Sequence, residues 1–386
     1  MNTQDHFDYI IAGSGCAGLS LAHHLIQTPL REKKILLIDK VDKVTNDRTW
    51  CFWEKEVNPF EEIVHKTWEN MHFHGNGFSK LLDLSPYQYK MIRGIDFYRF
   101  VQEKVAACKN LKILQGHIQK AENTPEGAKV IVDGKTFTSE WIFNSIFSQR
   151  EVAHDAHYYH LLQHFKGWVV QTEQAIFQPD KATLMDFRIK QYNDTRFIYV
   201  LPTDEHTALV EYTAFSPDLL ESAVYDRELK DYLHNFLKIG NYKILHEEFG
   251  VIPMTNQPFQ TKQGKHIVNI GTAGGQTKPS TGYTFTRIQK QTMQIVHNLL
   301  HEKVAVTEKV SSNSRFWWYD SILLNVLLKN RCSGKKIFTR LFKFNNASVV
   351  LEFLDEQTNI FQELRITNTM PHIPFLKATA DVLIGG

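Results

Sequence analysis

Two short apolar blocks open the chain, FDYIIA at 7–12 and KILLID at 34–39, and neither alternates with polar residues. Unbroken apolar runs of that length predict strands covered on both faces, as in a parallel sheet. Between them, residues 16–27 take on helical spacing. Strand, glycine turn, helix, strand is the opening unit of a doubly wound sheet. Further on, LKILQG (111–116) predicts a strand. AKVIVDGKTFTSEWIFNS predicts a hairpin turning at Asp133-Gly134, with its second strand running into Asn144. A strand or turn entering a helix is expected near 97–108. Residues 160–215, which include FIYVLPTD and TALVEYTAFS, predict longer strands forming a second sheet. YDRELKDYLHNFLKI (225–239) has the period of an amphipathic helix, and the tail after 315 is expected to be largely helical. There is no internal repeat and no low-complexity linker.

The turn after the first block reads GSGCAG. Gly13, Gly15 and Gly18 fit the spacing G-x-G-x-x-G. The first glycine permits the tight turn, the second lets a pyrophosphate approach the backbone, and the third lets helix and strand pack closely. The helix N-terminus, with Cys16 and Ala17, then faces the anion with unpaired N–H groups. Asp39 ends the second strand about 20 residues on, where a carboxylate accepts from ribose hydroxyls. FAD and NAD share this fingerprint. A distant second turn, GTAGGQTKPSTGY (271–283), favours FAD, whose extended far end needs a helix N-terminus of its own. Gly274, Gly275, Ser280, Thr281 and Gly282 are the expected flavin contacts.

Composition narrows the field. The 386 residues carry a formal net charge of +2, which demands no nucleic acid. The four cysteines, Cys16, Cys51, Cys108 and Cys332, are scattered, with neither a metal pair nor a disulfide framework. No signal peptide and no membrane-spanning run is expected. His154, His157, His160 and His164 lie three or four apart and could share a helical face, but no metal pattern accompanies them and no metal is expected. KNRCSGKKIFTRLFKF (329–344) holds six Lys or Arg and no acid. Its stripe of Ile337, Phe338, Leu341 and Phe344 suits an anionic bilayer surface or packing on the second sheet equally well.

Six separated segments, taken in order, resemble the bacterial lycopene beta-cyclases: FDYIIAGSGCAGLSLAHHL, NDRTWCFWE, FIYVLPTDEHTALVEYTAFS, GTAGGQTKPSTGYTFTRIQ, RFWWYDSILLNVL and MPHIPFLKA. The resemblance implies an α/β fold, a doubly wound FAD-binding (Rossmann-like, glutathione-reductase-type) domain with a second β-sheet substrate domain and a helical C-terminal region. The expected divisions are 1–155 (with an aromatic insert at about 60–95), 156–245, 246–300 and 301–386. It implies FAD active in its reduced form, NADPH or NADH as electron donor, and lycopene and gamma-carotene as substrates. It also implies a peripheral position on the cytoplasmic side of the membrane, with association with other carotenoid enzymes. Carried over residue by residue, Gly13, Gly15, Gly18 and Asp39 fall on the adenosine and pyrophosphate site. Arg48, Thr49 and Trp50 fall on the R-T-W segment, Gly274, Gly275 and Gly282 on the flavin-side turn, and Glu211 on an acidic position tied to activity. Where many flavoproteins carry Gly-Asp before this turn, the chain has Gly271-Thr272.

Closing a beta ring needs an acid, and a carboxylic acid in an apolar pocket holds its proton for that purpose. Glu211 is the expected acid–base residue, with the reduced flavin as the other candidate for delivering the proton. In a strand it shares a face with Thr213, while Tyr212 and Ala214 take the other. Trp50, Phe197 and Tyr199 are the expected substrate contacts, since aromatic faces stabilise cations. Asp186 is expected to pair locally with Arg188. The rival reading is an FAD-dependent NAD(P)H monooxygenase acting on an isoprenoid or aromatic substrate.

Overall fold

The first apolar block lies at the centre of an eight-stranded sheet. In the computed structural model, which describes residues 6–148, 157–306 and 315–384, strand His6–Ala12 runs parallel to Ile35–Asp39 on one side and to Lys135–Asn144 on the other. Leu111–Gln115 and Ile267–Asn269 extend the parallel set outward. The helices Cys16–Ile26, Gly94–Ala106 and Phe285–His301 bury their apolar stripes together, with Leu19, Phe97 and Ile288 in one cluster. The opposite face is covered by the hairpin strands Ile118–Thr124 and Gly127–Val132, which pack Val130 and Val132 against Ile10 and Ile142. This is why the blocks at 7–12 and 34–39 do not alternate: both of their faces are buried. The hairpin turns at Asp133-Gly134, both residues having positive φ, as a two-residue turn requires.

The second sheet has seven strands in the order Lys243–Thr255, His160–Gln171, Thr207–Ser216, Thr195–Pro202, Lys181–Asp186, Asn70–Gly75, Phe78–Asp83. Its pairs are antiparallel except Lys181–Asp186 with Asn70–Gly75. Residues 70–83, within the aromatic insert expected in the first nucleotide-binding part, extend this sheet, and so does the stretch 246–255. Helix Ser222–Asn235 covers one face over Ile198, Val200, Val210 and Tyr212. Asp186, fully buried, is bound by Arg188 and by the Tyr232 hydroxyl at 2.7 Å. A third sheet of Thr49–Glu54, Gln88–Arg93 and Lys66–Trp68 joins the two larger ones.

Among the described residues, five helices follow residue 314. Gly334–Phe344 carries the basic apolar stripe, and it packs on the second sheet. Ile337, Phe338, Leu341 and Phe342 are buried there, Phe338 stacked on Phe187 at 5.7 Å and Phe342 against Phe73 at 4.9 Å. Phe344 alone of the expected stripe is exposed. Among the described residues no helix is long and apolar enough to cross a membrane. Because Phe338 is core, Phe338→Ala should lower unfolding stability in detergent-free buffer by about 3–5 kcal/mol, read from chemical denaturation. A helix whose stripe faced a bilayer would leave that stability unchanged.

Candidate active site

The glycine turn and the second sheet meet around one cavity of about 670 Å³. At one end it is lined by Gly13, Gly15, Cys16, Ala17 and Asp39. Arg48, Thr49, Trp50, Thr281 and Gly282 also line it, and Tyr199 and Glu211 lie in its wall. Residues that sequence reading scattered over 270 positions thus share one chamber. Phe197 does not line it; its ring is fully buried between Phe187, Phe215 and Tyr199. Gly274, Gly275 and Ser280 also lie outside the lining. A Cβ on Gly274 would meet the Asn269 carbonyl oxygen at 2.3 Å, and Gly275 packs on Phe259.

The dinucleotide turn has distinct physical demands at each glycine. Gly13 has φ 98°. A Cβ on Gly18 would stand 1.8 Å from the Gly13 carbonyl oxygen, so this residue seals helix to strand. A Cβ on Gly15 would meet nothing within 4 Å, and the space beside it opens to the cavity. The helix that starts at Cys16 has no side-chain cap and no acid in its first turn, so its N–H groups are open to an anion. Asp39 does more than sequence suggested. Its Oδ2 accepts from the Ser14 N–H at 2.6 Å and hydroxyl at 2.9 Å, and its Oδ1 from the Val41 N–H. These bonds outweigh partial burial and hold the carboxyl below its ordinary range. At the far turn, the Gln163 amide oxygen is buried without a hydrogen-bond partner, 2.3 Å from where a Gly282 Cβ would lie, and Gln163 lines the cavity. An uncapped helix end, open space at Gly15 and an orphaned acceptor at the other end fit an elongated dinucleotide.

Glu211 sits on strand Thr207–Ser216, opposite Tyr199 on one side and Gly167 on the other. Gly167 in turn faces Glu248 on strand Lys243–Thr255. Directly opposed residues point to the same side of a sheet, so both carboxyls rise on the cavity face with only a glycine between them. The Thr213 hydroxyl donates to Glu211 Oε1 at 2.8 Å, and the Thr49 hydroxyl to Glu248 Oε2 at 2.6 Å. Thr49, expected at the cofactor, is thus bonded to this pair. Removal from bulk water, followed by the charge of Glu248, pushes the Glu211 carboxyl well above the usual range. Burial also raises Glu248. Tyr212 points to the opposite face, where its hydroxyl accepts from Arg196 at 3.0 Å.

Around the carboxyls stand Cys51, Tyr89, Tyr199 and Tyr283, with the Tyr89 and Tyr283 hydroxyls 2.9 Å apart. Burial raises the Cys51 thiol and all three phenols, keeping them neutral. Trp50 lines the cavity while packing edge-on against Phe97 and Tyr98. Glu248 and Gly167 escaped sequence reading because strand register alone unites them with Glu211, and Gln163, Tyr89 and Tyr283 because they reach the cavity from elements distant in sequence. The only local hint was Glu248 two positions before Gly250, whose missing side chain admits the Phe165 ring. Among the expected histidines, His154 lies outside the described residues. His160 and His164 stand on a strand, not a helix, and His164 binds Ser216 and Tyr225. Among the described residues no cluster of His, Cys, Asp or Glu suits a metal ion.

The architecture is a mixed α/β fold with several sheets and C-terminal helices, resembling FAD-binding flavoprotein folds. It resembles the flavoprotein/dehydrogenase of Cytophaga hutchinsonii (TM-score 0.64, 10% identity, 98% of this chain and 99% of that one). It also resembles pqsL of Pseudomonas aeruginosa, described as "a probable FAD-dependent monooxygenase" (TM-score 0.58, 12% identity, 84% and 98%). Residues 8–380 match the family "Lycopene cyclase protein", and the chain belongs to that family. Among curated relatives, the chloroplastic neoxanthin synthase of Solanum tuberosum is 25% identical over 298 residues, covering 73% of this chain and 58% of that protein. Lycopene beta-cyclase of Pantoea ananas is 22% identical over 409 residues, covering 98% and 99%. The chain thus spans less than two thirds of the potato relative's length.

Two outcomes test this site. Gly15→Asp should fold normally by circular dichroism yet weaken FAD binding about tenfold or more through charge repulsion at the helix end, whereas Gly18→Ala should fail to fold. The second outcome is linked to pH. Unfolded glutamates titrate near ~4.3, and folding raises Glu211 above that. The folded state therefore binds its proton more tightly, and stability is lost as pH rises from the unfolded value through the raised folded one. Glu211→Gln should accordingly raise the melting temperature more at pH 8 than at pH 5.

Proposed function

We propose that the protein is a lycopene beta-cyclase, closing the psi ends of lycopene to beta-ionone rings by way of gamma-carotene, without net redox change. The observation that carries this is the position of Glu211, a carboxyl raised by burial, in the wall of the same chamber that contains the dinucleotide turn. Gly13, Gly15, Cys16, Ala17 and Asp39 would hold the adenosine and pyrophosphate of FAD in a glutathione-reductase-type half. Thr281 and Gly282, with Arg48, would hold the far portion. When bound and reduced by NADPH or NADH, FAD supplies negative charge that stabilises a neighbouring carbocation.

The chain's residues account for the rest. Glu211 donates its proton to C2 of the terminal C1–C2 double bond, leaving a tertiary cation at C1. The C5–C6 π pair attacks C1, and loss of the C6 proton completes the ring. Leu201, Leu209, Phe165 and Ile252 in the wall exclude the water that would capture the cation. The faces of Trp50 and Tyr199 flank its path. The substrate belongs to bilayers, and a peripheral position on the cytoplasmic face would deliver it.

A second reading has its own support: the solved structures of similar fold include one described as "a probable FAD-dependent monooxygenase". Such an enzyme would consume NAD(P)H and oxygen on an isoprenoid or aromatic substrate at every turnover. One anaerobic experiment separates the two. The purified protein, with FAD reduced by dithionite, is mixed with lycopene in liposomes and the carotenoids are resolved by chromatography. Bicyclic product without oxygen is expected. Glu211→Gln should keep its FAD and lose about 10²-fold or more of the rate. Unchanged lycopene, together with oxygen-dependent NADPH consumption on another isoprenoid, would establish the monooxygenase.

A further inference from the structure

We propose that Glu211 and Glu248 act as one acid–base unit, sharing a single proton across the gap that Gly167 leaves in the sheet, with Glu248 accepting the proton that leaves the substrate. The proposal deepens the cyclisation reading and rests on it for the chemistry, but the pairing itself stands on geometry.

Glu211 and Glu248 belong to strands that are not neighbours. Two strand spacings, about 10 Å, separate their backbones. Their side chains can meet only by leaning toward each other over the intervening strand His160–Gln171. The residue there is Gly167. A Cβ at that position would stand 3.1 Å from Glu248 Cγ, 3.3 Å from Glu248 Oε1 and 2.9 Å from a Leu209 methyl. Thr213 occupies Oε1 of Glu211 and Thr49 occupies Oε2 of Glu248, so the Glu248 oxygen above Gly167 is the one turned toward its partner. The two carboxyls are within hydrogen-bonding reach.

Two carboxylates so close in a dry site cannot both be ionised, so one proton is held between them. The surroundings decide where it rests. Cys51, Tyr89, Tyr199 and Tyr283 are neutral. Arg48 and His246 lie on the Glu248 side and favour its anion. Glu211 therefore carries the proton and donates it across to Glu248, the arrangement needed for one acid and one base in the same place.

The reaction makes use of both. In the closed-ring cation C2, which has gained a proton, and C6, which loses one, are both neighbours of C1, so a single carboxyl pair can reach both carbons. Breaking the Glu211 O–H bond forms C2–H. The C5–C6 π pair forms C1–C6, and the C6–H pair forms the new C5–C6 double bond as its proton passes to Glu248. Afterwards the pair again holds one proton, and transfer across their hydrogen bond restores Glu211. No electron is gained or lost.

The test uses the FAD-loaded protein. Infrared spectroscopy without lycopene should show the carbonyl stretch of a buried protonated carboxyl near neutral pH. That band should vanish in Glu211→Gln and shift in frequency in Glu248→Gln. In the anaerobic assay Glu248→Gln should lose about 10²-fold of the cyclisation rate. It should also move the alkaline limb of the pH profile down by about one pH unit or more, since Glu211 loses its anionic neighbour. Gly167→Ala, a change at a positioning residue, should move the same limb the same way with FAD absorbance retained. If Glu248→Gln cyclises at full rate with an unmoved limb, or the infrared band is indifferent to it, the pairing is wrong although the cyclase reading stands. A band that responds to both substitutions in a protein that leaves lycopene untouched would overturn the cyclase reading and keep the pair.

Discussion

A carboxyl group holds its proton at neutral pH only where its anion is denied water, and the fold is arranged around that denial. Glu211 projects from a strand in the middle of a seven-stranded sheet, and the face it occupies is closed by the glycine-turn half and the three-stranded sheet. Moved to the opposite face, the same side chain would lie among Val210, Tyr212 and the helix Ser222–Asn235, packed against a core with no chamber. The strand's alternation therefore decides between an acid and an internal defect. The second sheet can be regarded as a platform that presents one polar row, Tyr199, Glu211, Gly167 and Glu248, to a cofactor-sized space.

The division of labour between the halves follows from their backbones. The parallel sheet ends in a turn whose N–H groups attract anions, and the requirements there are conformational: positive φ at Gly13, no side chain at Gly18, open space at Gly15. The antiparallel sheet contributes side chains, and its requirements are electrostatic: burial, hydroxyl donors and a paired carboxyl. Thr49 joins them, because it follows the arginine at the cavity mouth and bonds Glu248 with its hydroxyl.

Legibility in the sequence followed the range of the interaction. The glycine turn, its flanking strands and the Asp133-Gly134 hairpin are local, and their composition announced them. Glu211 was legible through its segment, and the alternation about it placed Thr213 beside it and Tyr212 away from it. Glu248 and Gly167 were not, because they meet Glu211 only through the pairing of three strands distant in sequence. The basic stripe at 337–344 shows the same limit: its periodicity announced an amphipathic helix but could not say that Phe187 and Phe73 would receive it. The histidines at 160 and 164 fit two periods at once, because a spacing of four suits a helix face and also one face of a strand, and the strand expected over 160–215 is the one that forms.

One topological detail bears on how the chain reaches this state. The strands Asn70–Gly75 and Phe78–Asp83 close the edge of a sheet whose remaining strands lie between 160 and 255, and the last strand to emerge, Lys243–Thr255, sits at its far edge. Loops that long are entropically costly to close before their contacts form. During synthesis the early hairpin must wait, with its edge unpaired, until its partner Lys181–Asp186, nearly half-way along the polypeptide, has left the ribosome. Severing the molecule into its two apparent halves would leave each with an incomplete sheet, so the two halves mature as a single cooperative body.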